Sequence, residues 1–273
     1  MTTIAEKIPD WVVYLLLYLA VIGPLVMPLK IPVPTAKYVK AAYNTIEDLP
    51  EGSTVMFGIR MASWNPNLYP GLISISEQVF RGNHKIIYVA RSTGALNQFE
   101  TIVANCPSAK DKVYGEDWII LYPSIKLEDA PNAALGDSIL NACPTDFIYN
   151  EPITGYPIME GITDASTIDL LIDEGETDLE ATIRQLSTPY SLPTILVTGG
   201  VDHIPFTSSK IQAGLIVAAV NAIPQFASYE SLVNMPGDAL KQTDAFSTTM
   251  ILGLVLMVIG NISYFLDRRT KEK

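Results

Sequence analysis

The sequence predicts an α/β protein: a doubly wound, Rossmann-like three-layer sandwich with a mainly parallel sheet, plus N- and C-terminal transmembrane helices. Three observations support this fold class. Long uncharged apolar runs lie near both ends of the 273-residue chain. Between them, short apolar runs alternate with amphipathic segments, and no internal repeat divides this part of the sequence. Apolar strands that alternate with helices indicate a parallel sheet covered on both faces.

The terminal apolar runs are long enough to cross a bilayer as helices. Residues 11–29 and residues 245–266 contain no charged side chain, and a membrane-spanning helix needs about 20 apolar residues. The first run could instead be a secretory signal peptide, but no convincing small-residue cleavage site follows it. We therefore predict two transmembrane helices, with the lipid bilayer as a partner.

Basic residues near the spans favour cytoplasmic termini. The tail at 267–273 contains four Lys or Arg residues, and such residues mark the cytoplasmic side of a span. Lys30, Lys37 and Lys40 follow the first span and argue for the opposite orientation, since only Lys7 precedes it. The balance predicts a two-pass protein of the cell membrane with an extracytoplasmic central domain.

The central part of the chain is acidic and lacks nucleotide-binding motifs. Residues 30–244 contain 25 acidic and 13 basic residues, a charge that repels nucleic acid. The turn after the first predicted strand, RMASWNPNLYPG, contains neither GxGxxG nor GxxxxGK[ST]. We therefore predict no nucleic-acid partner and no cofactor.

The chain divides into six predicted segments, and one of them is the α/β domain. They are an N-terminal tail (1–10), a span (11–29), a neck with a short amphipathic helix (30–50), the domain (51–244), a second span (245–266) and a basic tail (267–273). Apolar runs predict strands over 53–61, 85–92, 117–124, 166–174 and 193–199, the fifth of them the last. Amphipathic segments predict helices over 70–82, 94–106, 129–143 and 177–187, with Asp129 and Thr177 as N-caps.

The segment from 208 to 235 contains the apolar stretch AGLIVAAV and is predicted to be helical. A helix that is apolar nearly all round must be buried on more than one side. The domain core would cover one side, and another subunit or the membrane surface would cover the other.

Polar residues follow several predicted strands, at the sheet edge where ligands bind in doubly wound folds. Arg60 and Arg91 follow the first and second strands. They would clamp a carboxylate or phosphate bidentately, or pair with the acids at the end of the fourth strand. The candidate ligand-binding residues at this edge are Arg60, Arg91, Asp173, Glu174 and His203.

No catalytic or metal-binding residue is predicted. The chain contains no GxSxG motif, although Ser63, Ser92 and Ser124 lie in loops where a divergent serine site is conceivable. His84 precedes the second strand, at the opposite edge of the sheet from His203, so the two cannot share an ion.

The acids Asp173, Glu174, Glu176 and Asp202 could bind calcium or magnesium, but the start of a helix explains these acids more simply. Cys106 and Cys143 are either a disulfide or two buried thiols.

The second span contains small residues suited to helix packing. Gly253 and Gly260 are seven residues apart and share a face with Met257, and Asn261 adds a polar group beside it. Small residues let helix backbones approach closely in a membrane. We therefore predict a homo-oligomer or a hetero-complex of membrane proteins.

Five segments of the chain resemble an uncharacterised prokaryotic family of membrane proteins. They are YGEDW (114–118), YPIMEGI (156–162), STIDLLID (166–173), AGLIVAAVNAIPQFASYESL (213–232) and GNISYFLDRR (260–269). Members of that family have a transmembrane helix at each end and a Rossmann-like domain between them. The resemblance implies this architecture and carries no activity.

These features predict a non-catalytic, membrane-anchored subunit that self-associates or supports a larger membrane assembly. One alternative is an extracytoplasmic solute-binding or sensory domain in which Arg60 and Arg91 bind a small anion. A second alternative is a divergent serine hydrolase.

Overall fold

The computed structural model describes residues 9–61, 65–91, 93–123, 130–176 and 179–271. Within these residues one sheet contains six parallel strands: β1 (Thr54–Ile59), β2 (Lys85–Ala90), β3 (Trp118–Leu121), β4 (Leu170–Glu174), β5 (Thr194–Thr198) and β6 (Ala218–Asn221). Their spatial order is β3-β2-β1-β4-β5-β6, the order of a doubly wound dinucleotide-fold sheet. The α/β, Rossmann-like prediction is confirmed.

Helices of very different length connect and cover the strands. They are α1 (Asp10–Val26), α2 (Lys37–Glu47), α3 (Tyr69–Arg81), α4 (Leu96–Ala104), α5 (Ala130–Asp137), α6 (Ile139–Ala142), α7 (Leu179–Thr182), α8 (Thr188–Tyr190), α9 (Ile204–Gln212), α10 (Ala222–Leu232) and α11 (Asp238–Lys271). The helices predicted over 70–82 and 94–106 are confirmed, and the described part of 177–187 is helical; the helix predicted over 129–143 is divided in two by the extended Ser138. The N-caps assigned to Asp129 and Thr177 lie outside the described residues.

All five predicted strands are present. The main difference is at the start of β4, since residues 166–169 precede the strand. Each strand is buried along almost its whole length, because helices lie on both faces of a parallel sheet and continuous apolar runs fit such an environment.

The helix predicted over 208–235 is confirmed in part: α9 and α10 cover its two ends, but residues 213–221 between them are not helical. Gly214, with φ of +70°, follows α9, and the apolar residues after it form β6, which pairs with β5 at the sheet edge. A run of four to eight apolar residues fits a buried strand as well as a helix. Ala218, Ala219 and Val220 are fully buried, so these residues belong to the core of the chain itself, while Val217 remains 40% exposed. The fifth strand is therefore not the last.

Two large hydrophobic cores fill the spaces between the sheet and its helical layers. Phe57 and Tyr88 belong to the core under α2, α3, α4 and α10, while Met56 and Val89 belong to the core under α5 and α6. The segment predicted as a neck thus contributes α2 to the first core, where Val39, Ala42 and Ile46 are buried.

The two cysteines lie on opposite faces of the sheet. Cys106 belongs to the first core and Cys143 to the second, and both are free thiols. Burial raises the pKa of Cys143 to about 12, although the nearby Arg91 charge opposes the increase. Of the two sequence alternatives, the structure contains the buried thiols.

The terminal helices pack against each other in antiparallel directions. The Thr248 hydroxyl donates to the Ala20 carbonyl oxygen at 2.5 Å. The backbone N–H groups of Lys30 and Ile31, later in the chain, donate to Asp244, which is nearer the start of α11. Among the described helices, one is long and apolar enough to cross a membrane, over Asp238–Leu266 in α11. The N-terminal helix α1 is shorter, with 17 residues, and ends at Val26 rather than Leu29.

A buried carboxylate joins the base of this helix pair. Asp244 is fully buried, and its Oδ2 and Oδ1 accept the backbone N–H groups of Lys30 and Ile31 at 2.8 and 2.9 Å. Hydrogen bonds to an ionised acceptor are stronger than those between neutral groups. Asp244 therefore fixes the chain that leaves α1 against the first turns of α11.

Replacing Asp244 by Ala should lower the free energy of unfolding by about 1–3 kcal/mol, because two part-buried hydrogen bonds to its carboxylate are lost. The measurement is unfolding of the detergent-solubilised chain, followed by circular dichroism. The control is Asp238→Ala, whose exposed carboxylate pairs with Lys241 at 2.8 Å, and it should cost less than about 1 kcal/mol. Equal losses in both variants would contradict the role of Asp244.

Candidate functional site

A polar cluster lies at the carboxyl edge of the sheet, where the strand order reverses between β1 and β4. Gly58 pairs with Val89 on one side and Asp173 on the other. Because side chains alternate between the two faces of a strand, Gly58 and Asp173 share a face. Arg60 lies two residues after Gly58, and Arg91 lies two residues after Val89. Each arginine therefore comes directly after the end of its strand. Crevices at such reversal points are the usual ligand sites of doubly wound sheets.

Arg60 forms an ion pair with Asp173. Its Nη2 donates to Asp173 Oδ2 at 2.8 Å, and the Thr182 hydroxyl donates to the same oxygen at 2.7 Å. The Asp173 side chain is fully buried, and 15% of the Arg60 side chain is exposed. The pairing between the arginines and the acids of the fourth strand, one of the two sequence alternatives, thus exists for Arg60.

Arg91 lies beside this pair without a comparable partner. Its Nε and Nη2 are buried and have no hydrogen-bond partner among the described residues, and the same holds for Asp173 Oδ1. Burial lowers the pKa of Arg91 to about 10; the Asp173 charge opposes this shift and the Arg60 charge adds to it. Arg91 therefore remains a cation at neutral pH.

Gly58 provides the room in which these groups meet. A Cβ at position 58 would lie 2.3 Å from Asp173 Oδ1 and 3.8 Å from Arg91 Nε. Glycine weakens the interior of a strand, and it often marks a close approach of other atoms. The absence of a side chain at this position is thus a condition for the buried carboxylate of Asp173.

Glu174 lies next to Asp173 in sequence but takes a different role. Its Oε2 accepts the backbone N–H groups of Arg60 and Met61 at 2.8 and 3.1 Å. Burial raises the pKa of Glu174 to about 7, and these two hydrogen bonds oppose the increase. Successive strand residues point to opposite faces, so Glu174 holds the end of β1 in place while Asp173 faces the arginines.

His203 is not joined to this cluster by any contact within the described residues. It ends a short 3-10 turn, Val201–His203, after β5, and its Nε2 lies 3.9 Å from Asp202 Oδ2. This distance is too long for a hydrogen bond, and 80% of the Asp202 side chain is exposed. The structure therefore brings together Arg60, Arg91 and Asp173, and it leaves His203 outside.

Sequence reasoning missed Thr182 and Asn221, two polar residues at this edge. Thr182, in α7, contacts Asp173 as described above. Asn221 ends β6, and its Oδ1 accepts a hydrogen bond from the buried Thr198 hydroxyl at 2.8 Å. Asn221 follows an apolar run, which is also typical of a polar residue at the end of a strand. Because a helix is predicted over this run, Asn221 is not predicted to lie at the sheet edge.

The described residues contain no group of three or more His, Cys, Asp and Glu side chains that could hold a metal ion. His84 is buried, and burial lowers its pKa despite opposing hydrogen bonds to backbone groups of Ile46 and Pro50. Ser63, Ser92 and Ser124 lie outside the described residues, so the divergent serine site remains a prediction.

A separate cavity of about 190 Å³ lies where α3 meets the junction of α10 and α11. Glu230 lines it, but its carboxylate accepts the backbone N–H groups of Gly237, Ala239 and Leu240 at 2.8–3.1 Å. Burial raises the pKa of Glu230 to about 7, and these hydrogen bonds oppose the increase. Glu230 therefore caps the start of α11 and offers little to a ligand.

Comparison of the chain with protein-family models, with curated proteins and with solved structures gives no match.

Replacing Gly58 by Ala should lower the free energy of unfolding by about 1–3 kcal/mol, because the new methyl group overlaps Asp173 Oδ1. Thermal or denaturant unfolding of the full chain measures this change. Gly155→Ala is the control, since a Cβ there has no neighbour within 4 Å and should change stability by less than about 0.5 kcal/mol. A neutral Gly58→Ala variant would show that the space above Gly58 is not confined.

Glu174 should make the protein less stable as the pH rises from about 5 to about 8. The folded chain holds this proton with a pKa of about 7, against an ordinary value of 4.5. The stabilisation is therefore complete below the ordinary value and is lost as the pH rises through the folded value.

The measurement is the unfolding midpoint of wild type and Glu174→Gln at several pH values. The amide oxygen keeps the acceptor for Arg60 and Met61 but cannot ionise, so the variant should lose less stability over this range. Glu230 titrates in the same range and remains in both proteins, so the difference between them reports Glu174 alone. Parallel pH profiles would exclude this source of pH dependence.

Proposed function

We propose that the protein is a non-catalytic, membrane-anchored subunit that presents its α/β domain at a membrane surface and associates with other membrane helices. The observation that carries this proposal is the exposure of α11, of whose most apolar window only 6% is buried within the chain. Its exposed apolar side chains surround the helix: Phe246, Met250, Ile251, Leu254, Val255, Met257, Val258, Ile262, Tyr264, Phe265 and Leu266. A soluble monomer seldom exposes so large an apolar surface.

The N-terminal helix α1 adds to this surface. Trp11, Tyr14 and Tyr18 are more than half exposed, and no charged residue follows Asp10 within the helix. The helix rises about 26 Å, against a hydrocarbon core of about 30 Å, so the apolar residues that follow Val26 would complete the crossing. These features support a two-pass anchor, and the four Lys or Arg residues of the tail favour a cytoplasmic tail with the domain outside.

The glycine face of α11 supports association between subunits. A Cβ at Gly253 or Gly260 would have no neighbour within 4 Å, so α1 does not use these positions. Asn261 is exposed one residue further on. In a membrane, small residues allow close helix contact and an amide gains from a partner. Another copy of α11, or a different membrane helix, fits this face.

Replacing both Gly253 and Gly260 by Leu should break the association, because the added side chains keep the helix backbones apart. In mild detergent, size-exclusion chromatography with light scattering should give wild type at least twice the protein mass of one chain. The double variant should give the mass of one chain.

The matched control is Val255→Leu with Val258→Leu, which enlarges side chains on other faces of the same helix and should leave the mass unchanged. One chain per micelle for wild type in several gentle detergents, with no co-purifying partner, would contradict the assembly function.

A further inference from the structure

Buried polar atoms beside Gly58 have no hydrogen-bond partner among the described residues. Arg91 contributes Nε and Nη2, and Asp173 contributes Oδ1. Asp173 Oδ1 packs directly against Gly58, since a Cβ at position 58 would lie 2.3 Å from it. Buried polar groups in folded proteins nearly always have partners, so the arrangement points to a bound group.

Arg91 specifies the acceptor side of that group. Nε and Nη2 are neighbouring donors on one edge of the guanidinium, and this edge matches two oxygens of a carboxylate or phosphate. A buried donor on a cation is costly to leave unpaired. Of the two arginines, Arg60 already donates to Asp173 and Thr182, so Arg91 is the main anion ligand.

Asp173 specifies a donor on the same group. Its Oδ2 accepts hydrogen bonds from Arg60 and Thr182, while Oδ1, packed against Gly58, accepts none from the described residues. An ionised carboxylate only accepts hydrogen bonds. A ligand oxygen without a proton would therefore face Oδ1 with repulsion, and a ligand hydroxyl would pair with it.

The charges of the cluster favour an anion. Arg60, Arg91 and Asp173 sum to one positive charge, and Glu174, whose pKa is about 7, offsets part of it at neutral pH. Glu174, the neighbouring acid, uses its Oε2 on backbone N–H groups at the end of β1. A singly charged or partly protonated oxyanion balances this charge.

We propose that Arg91 and Asp173, with Arg60 in support, bind a small oxyanion that also carries a hydroxyl proton. Hydrogen phosphate and the carboxylate of a 2-hydroxy acid share this chemistry. The site is independent of the assembly function proposed above, since it lies in the α/β domain and uses none of the terminal helices.

Equilibrium dialysis of the full chain in detergent at pH 7 tests the site with labelled inorganic phosphate and with labelled glycolate. Binding is measured directly because sulfate stabilises folded proteins by exclusion from their surface. A thermal-shift assay would not separate this effect from binding at the site. We expect saturable binding of at least one of the two probes at one site per chain. The probe with the lower dissociation constant shows whether the site prefers a phosphate or a hydroxycarboxylate.

Matched anions test the part played by Asp173. Sulfate differs from phosphate, and acetate from glycolate, in lacking the hydroxyl proton at this pH. Each should compete at least about tenfold more weakly than its partner, because a site with an unpaired buried acceptor rejects the analogue without the donor. Equal competition within both pairs would overturn the proposal.

The variants test the part played by Arg91. Arg91→Lys keeps the charge but loses the paired donors, and it should weaken binding by about tenfold or more. The control Arg81→Lys lies at the opposite edge of the sheet, in an ion pair with Glu47, and should bind as wild type does. Unchanged affinity in folded Arg91→Lys, or no saturable binding of either probe to wild type, would overturn the proposal. The anion comparisons need no variant, so they decide the matter even if Arg91→Lys does not fold.

Discussion

The architecture of this domain depends on one buried charge. Asp173 lies near the carboxyl end of β4, with its side chain fully enclosed, and a carboxylate in such a place must be paired and hydrogen-bonded. Arg60 and Thr182 supply these partners from β1 and α7, and Gly58 supplies the space. Two segments that are far apart in sequence, one with Gly58 and Arg60 and one with Asp173 and Thr182, are thus tied to each other. Losing a single partner would leave a buried charge uncompensated, which is among the most damaging changes a core can undergo.

Two other buried carboxylates lie at the start of α11, and both accept hydrogen bonds from backbone N–H groups. Glu230 accepts the first backbone N–H groups of this helix, and Asp244 holds the chain that comes from α1. Both are buried, and both act on backbone groups rather than on side chains. The helix that the sequence marks as a separate span therefore starts inside the domain, with Ala239 and Leu240 in the first hydrophobic core.

The sequence predicts most of the fold because its signals are local. Apolar runs such as TVMFGI in β1 are long and bounded by turns, so their strands follow from composition alone. The four residues of β6 do not, since AAVN beside other apolar residues fits a helix equally well. The neighbourhood of Arg60 and Asp173 also follows from the sequence, because the carboxyl ends of parallel strands meet at one edge. The role of Gly58 does not follow, since it depends on the register between β1 and β4. Thr182 is likewise invisible in sequence, because its contact depends on how α7 packs over the sheet.

The attachment of α11 has a mechanical consequence. The helix runs unbroken from Asp238 to Lys271, without a proline or a hinge, and its first turns are clamped by Glu230 and Asp244. The domain and α11 are therefore expected to move together. A tilt of the helix at its C-terminal end would rotate the whole domain. In the assembly proposed above, a tilt of α11 would therefore turn the carboxyl edge of the sheet with it.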